Sequence, residues 1–116
     1  MQFNEYQQLA ERTAKTMSDS KLRYANFGMG IAGEAGEVCD YLKKVVFQGH
    51  DFDKQKLTEE LGDVLWYIAT TATTAGVDLH EVAVQNVEKL KRRYPEGFKA
   101  ENSRNRMALG DNIGVR

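Results

Sequence analysis

The spacing of apolar positions along the chain predicts helices rather than strands. Near the N-terminus Tyr6, Leu9, Ala10, Thr13 and Met17 recur at helical steps, which predicts a helix from about Glu5 to Met17 with Asn4 as its N-cap. Ser18 to Lys21 read as a turn. Ile31, Val38, Leu42, Val45 and Val46 supply the core face of a second helix, about Arg23 to Phe47, which ends before Gly49. Leu57, Leu61, Val64, Leu65, Ile68 and Ala72 mark a third, Lys54 to about Ala75, with Asp53 as N-cap and Gly76 where a C-terminal cap is expected. Asp78-Leu79-His80-Glu81 has the form of a capping box with aspartate in place of Ser/Thr. It opens a fourth helix that runs to about Arg93 before Pro95 stops it. After Phe98 the chain turns polar. Residues 1–98 are therefore expected to form one helical domain, and 99–116 a polar tail, either loose or docked on a partner.

A single proline and clustered, non-alternating β-branched residues agree with an all-α chain. Four amphipathic helices with short connections predict a four-helix bundle. At 116 residues the chain is one domain by length, and helical domains of this size often add buried area by oligomerising. A net charge of −1 gives no bulk argument for nucleic acid or membrane as a partner. The N-terminal MQFNEYQQLAER lacks the apolar stretch of a signal peptide, and no run approaches membrane-spanning length. Cys39, the single cysteine, fits a reducing compartment, so the expected location is cytoplasmic, and it reads as a packing residue.

Against this background two pairs of carboxylates stand out. Glu34 and Glu37 lie in GEAGEVCDY, and Glu60 and Asp63 in EELGDVLWY, each pair spaced i, i+3 within an apolar segment. Residues three apart share a helix face, and like charges there repel unless a cation offsets them. Spacing alone balances a divalent-cation site against a solvated acidic face. Apolar neighbours (Ile31, Val38, Leu61, Val64, Trp66) and adjoining glycines (Gly33, Gly36, Gly62) favour the site. Oxygen-only donors suit Mg²⁺ or Mn²⁺ rather than zinc. A di-iron carboxylate centre would use Glu-x-x-His pairs, but Phe47 and Val77 precede His50 and His80 by three residues. Cys39 has no histidine nearby, and the glycine-rich stretch Gly28 to Gly36 lacks the Gly-Lys-Ser/Thr ending of a P-loop. On the fourth helix Lys89 and Arg93 could bind phosphate, although a basic helix end is favourable without any ligand. Tyr67 shares the face of Asp63 and could stack on a ligand or pack in the core.

The two acidic pairs with their flanks carry a resemblance. Glu34-Ala-Gly-Glu37 and Glu60-Leu-Gly-Asp63, the strings GEAGEV and EELGDVLWY, and KLKRRYPEGF at the end of the last helix resemble the MazG-like members of the all-α nucleoside triphosphate pyrophosphohydrolases. That superfamily also holds dimeric dUTPases, dCTP pyrophosphatases and phosphoribosyl-ATP pyrophosphohydrolases. The similarity spans roughly residues 3 to 106.

The resemblance implies a bundle that assembles as a homodimer or homotetramer, with the active site near a subunit interface. It implies hydrolysis of a (d)NTP to the (d)NMP and pyrophosphate. Glu34, Glu37, Glu60 and Asp63 would hold Mg²⁺, and one of them, or Glu59, would orient or deprotonate the attacking water. Lys44, Lys89 and Arg93 become phosphate contacts, and Tyr67, Asn26 and Asn86 nucleoside contacts. The tryptophans and histidine that line the base pocket of dCTP-specific relatives have no counterparts here; Tyr24 and Phe27 are expected in that role. The run Ala69 to Ala75 could serve a subunit interface or pack within one subunit. Two other readings are a phosphoribosyl-ATP pyrophosphohydrolase-like enzyme and a non-catalytic helical oligomer that binds a nucleotide or metal. GEAGEV and RYPEGF lean away from the first, and the complete acidic quartet leans away from the second.

Overall fold

The computed structural model describes residues 1–106. They form two compact units, Met1–Leu79 and a second that begins at His80. The first unit contains α1 (Phe3–Glu11), α2 (Ser20–Arg23), a π-helical turn (Tyr24–Gly28), α3 (Met29–Phe47) and α4 (Lys54–Ala75). Helix α5 (Leu79–Arg93) starts on the last residue of that unit and continues into the second, where α6 (Ala100–Arg104) follows. Among the described residues no strand forms, and no helix is long and apolar enough to cross a membrane. The all-α expectation is met. The polar stretch expected from Lys99 onward includes α6 in its described part.

The ends of α4 fall where the sequence places them. The Asp53 carboxylate accepts from the Gln55 N–H at 2.9 Å, and Gly76 takes the left-handed conformation at φ 72°. Helix α1 differs from expectation at both ends. It starts at Phe3, so Asn4 lies inside it; Gln2 is the N-cap, and the Glu5 carboxylate accepts from the Gln2 N–H at 3.1 Å. It stops at Glu11 rather than Met17 and tightens into turns closed by three-residue bonds such as Ala14 N–H to Glu11 O at 3.0 Å. The reason is Arg23. Its Nη1 donates to the carbonyls of Ala14 (3.3 Å) and Met17 (3.0 Å), its Nε donates to Thr74 Oγ1 (2.9 Å), and its Nη2 donates to Glu11 Oε1 (2.6 Å). The guanidinium also lies over the Phe27 ring, 4.9 Å from its centroid. One buried arginine thereby supplies partners to carbonyls that the end of a helix would leave bare.

The buried face of α1 is rotated by one residue from the predicted stripe. Gln7 and Ala10 are buried, as is Ala14 in the turns beyond the helix, whereas Leu9 is 46% exposed. The glutamine amide is fully used: Nε2 donates to Thr73 Oγ1 (3.1 Å) and Val77 O (2.9 Å), and Oε1 accepts from the Leu79 N–H (2.7 Å). Ala10, Ala69 and Leu79 form the small core, with Tyr6, Leu65, Trp66 and Ile68 packed on it. The small-residue run of α4 packs within this unit. Ala69 and Thr70 are completely buried, and Thr70, Thr71, Thr73 and Thr74 each return their hydroxyl to a carbonyl one turn back.

The second predicted helix starts earlier than Arg23. The chain is helical from Ser20, where Asp19 caps by accepting from the Leu22 N–H at 3.1 Å. The π-helical turn then inserts an extra residue before α3. The expected core stripe of α3 is only partly covered: Ile31, Val38 and Val45 are half-buried and Leu42 and Val46 are exposed, as is Leu61 on α4.

Candidate active site

Helices α3 and α4 form an antiparallel hairpin whose register is fixed at both ends. At one end Gly30 abuts the Tyr67 ring, and a Cβ on residue 30 would overlap that ring. At the other end the Tyr41 hydroxyl accepts from the Asp53 N–H at 2.6 Å and donates to the Asp53 carbonyl at 3.2 Å. Between these clasps Glu34, Glu60 and Asp63 converge, with one carboxylate oxygen of each lying within 4.8 Å of the others. Glu34 and Glu60 are half-buried, and Asp63 is exposed.

The electrostatics record this crowding. Burial raises the Glu34 carboxyl above its ordinary range, and the charges of Asp63, Glu60 and Glu37 add to the shift. From α1, the Tyr6 hydroxyl is raised by burial and then by the charge of Asp63. Lys56 Nζ lies 3.3 Å from Glu60 Oε1, and that bond raises the Lys56 ammonium.

The trio lies between two hollows along the α3–α4 groove. One, about 500 Å³, is lined by Asn26, Gly30 and Tyr67 together with Met17, Leu22 and Met29. The π-helical turn positions Asn26 here while directing Phe27 inward. The other, about 380 Å³, is lined by Glu37, Tyr41, Lys44, His50, Lys56 and Glu60. Its Asp40 is held below the usual aspartate range, chiefly by the Lys44 ammonium at 3.0 Å and also by Lys43 at 3.3 Å.

Of the predicted site residues, Glu34, Glu60 and Asp63 are brought together. Glu37 stands outside that trio, exposed one turn further along α3 on the wall of the smaller cavity. Glu59 is exposed and accepts from Gln55 Nε2 at 3.3 Å. Lys44 lines the smaller cavity, and Asn26 and Tyr67 share the larger one. Asn86 and Lys89 line a hollow of about 540 Å³ on α5 in the second unit, and Arg93 ends the same helix. Phe27 does not line a base pocket. It is buried, edge-on to Trp66 at 5.5 Å, as part of an aromatic trio with Tyr67. Tyr24 is exposed, and its hydroxyl reaches the Thr74 carbonyl at 3.4 Å. Cys39 is exposed rather than packed. Sequence reasoning missed Lys56, although its position one turn before Glu60 was a usable signal.

The model of the MazG nucleotide pyrophosphohydrolase domain matches residues 24–98, from the π-helical turn to just past α5. The chain belongs to the MazG family. It is also 38% identical over 73 residues to the Gene 37 protein of Mycobacterium phage L5, an overlap of 60% of this chain and 64% of that protein. The chain thus spans just under two thirds of the length of the relative it matches. No solved structure is a significant match. The matched region includes both acidic helices, so Glu34, Glu60 and Asp63 lie within the MazG domain.

Proposed function

We propose that the protein is a Mg²⁺-dependent pyrophosphohydrolase that converts a nucleoside triphosphate to the monophosphate and pyrophosphate, acting as a homodimer or homotetramer in the cytoplasm. The convergence of Glu34, Glu60 and Asp63 inside a MazG domain carries this reading. The residues fit a hard divalent cation. The donors are all carboxylate oxygens, and the burial and mutual repulsion that raise Glu34 are what a cation would relieve. Mn²⁺ would suit the same donors.

Glu34, Glu60 and Asp63 would hold the ion, with Glu37 completing the set from the neighbouring turn. The bound cation supplies charge neutralisation at the polyphosphate. One of these acids, or Glu59, exposed and next to Glu60 in the chain, would orient the attacking water or take its proton. Tyr67 offers a ring face and Asn26 a carboxamide to the nucleoside, in a hollow on one side of the acids. Lys44 borders the hollow on the other side, so a nucleotide laid along the groove would meet the acids between its two ends. Asn86, Lys89 and Arg93 on α5 are proposed as further substrate-binding residues. A panel of ribo- and deoxyribonucleoside triphosphates, assayed with Mg²⁺ for pyrophosphate release, tests the reading. Wild type should release pyrophosphate and a Glu37→Gln, Glu60→Gln double variant should not; equal release by both, or none from wild type, would sink it.

A further inference from the structure

We infer that Lys56 is the resident counter-ion of the acidic trio: it holds Glu60 in the metal-free protein and is released into the adjoining cavity when a divalent cation takes that carboxylate. This rests on the metal reading above and concerns the regulation of the same site. Lys56 precedes Glu60 by one helical turn, with Nζ 3.3 Å from Oε1. In isolated helices Lys before Glu is the weaker order, so helix geometry alone is a poor account of the pair. The pull comes from Glu60 itself, the member of the trio that Lys56 touches, with the charges of Glu59 and Glu37 adding to it. The Glu60 side chain is 14% exposed and shares its surroundings with Glu34 and Asp63, whereas the Lys56 side chain is 50% exposed and comes in from the cavity side. A singly charged ammonium thus covers one arm of a cluster suited to a doubly charged ion.

The other cavity-lining lysine is held differently. Lys44 pairs with Asp40, which also pairs with Lys43 and is not one of the three converging carboxylates. A cation among Glu34, Glu60 and Asp63 would leave the Asp40 pairs intact and remove the partner of Lys56. A doubly charged ion on Glu60 repels the ammonium more strongly than a second lysine would and takes the oxygen it holds, so the side chain is displaced, and its anchor on α4 keeps it at the cavity wall. There it adds a positive charge beside Lys44 where an anionic group would enter. Metal binding and anion binding are then coupled through Lys56, and by linkage each favours the other.

The test is calorimetric titration of Mn²⁺ alone into wild type, Lys56→Gln and Lys56→Arg. Without its ammonium competitor, Lys56→Gln should bind Mn²⁺ about two- to fivefold more tightly, the scale of an exposed ion pair, while Lys56→Arg stays near wild type. Brief acetylation read by mass spectrometry gives a second measurement. Mg²⁺ should raise labelling of Lys56 at least twofold (an order-of-magnitude expectation for losing such a pair) in wild type and leave it unchanged in Glu60→Gln. Equal Mn²⁺ affinity in all three proteins, or Lys56 labelling indifferent to Mg²⁺ at concentrations that saturate wild type, would overturn the inference alone. Failure of wild type to bind Mn²⁺ would overturn both it and the metal reading.

Discussion

Glu34 carries the burial and the repulsion of the acidic groove. Its carboxyl is raised, so it holds its proton more tightly in the folded protein than in the unfolded chain. Its contribution to stability is therefore complete below the ordinary glutamate value of 4.5 and is lost as pH rises through the folded value. If Mg²⁺ binds as proposed it takes the proton's place, so stabilisation by Mg²⁺ should grow over the same window. In Glu34→Gln both the pH-dependent loss and most of the Mg²⁺ effect should disappear, as measured by thermal melts across pH with and without the ion. Arg23 makes a different kind of contribution. Arg23→Met should cost about 3 kcal/mol in urea unfolding, the low end for breaking a buried pair, because the Glu11 side chain is still 28% exposed. Lysine should not rescue it, since three guanidinium nitrogens are in use. The four acids were legible from their spacing and flanks. Arg23 and Gln7 were not, because their burial depends on Thr73, Thr74 and Val77, more than fifty residues away in the chain.

At the scale of elements, the α3–α4 hairpin is the part that positions chemistry, and its two clasps can be tested separately. Gly30→Ala places a methyl group where the Tyr67 ring sits, which should cost about 1–3 kcal/mol and displace either the ring or the helix. Because the larger hollow is lined by that ring, KM for the nucleotide should rise while Mn²⁺ affinity, measured by calorimetry, changes little. Tyr41→Phe removes both hydrogen bonds to the Asp53 backbone and should cost about 1 kcal/mol, with faster amide exchange at Asp53. The bounds of α4 were readable because Asp53 and Gly76 are local signals. The early end of α1 and the π-helical turn were not, since a side chain from another segment and an extra residue within a continuous helix leave the apolar spacing nearly intact.

For the whole molecule, the single chain leaves much apolar surface bare. Phe47 is 82% exposed, Met29 73% and Val46 68%. If the protein works as the proposed dimer or tetramer, its melting temperature should rise with protein concentration and its sedimentation should report more than one chain. The sequence by itself determined the helical class, the ends of α4 and the two acidic pairs, because periodicity, caps and spacing act within a few residues. Only the tertiary structure decided which three of the four acids converge, that Phe27 is core and that Asn26 lines the hollow. Those outcomes depend on the rotation and register of one helix against another, which a one-residue change in phase alters without changing the pattern of hydrophobic positions.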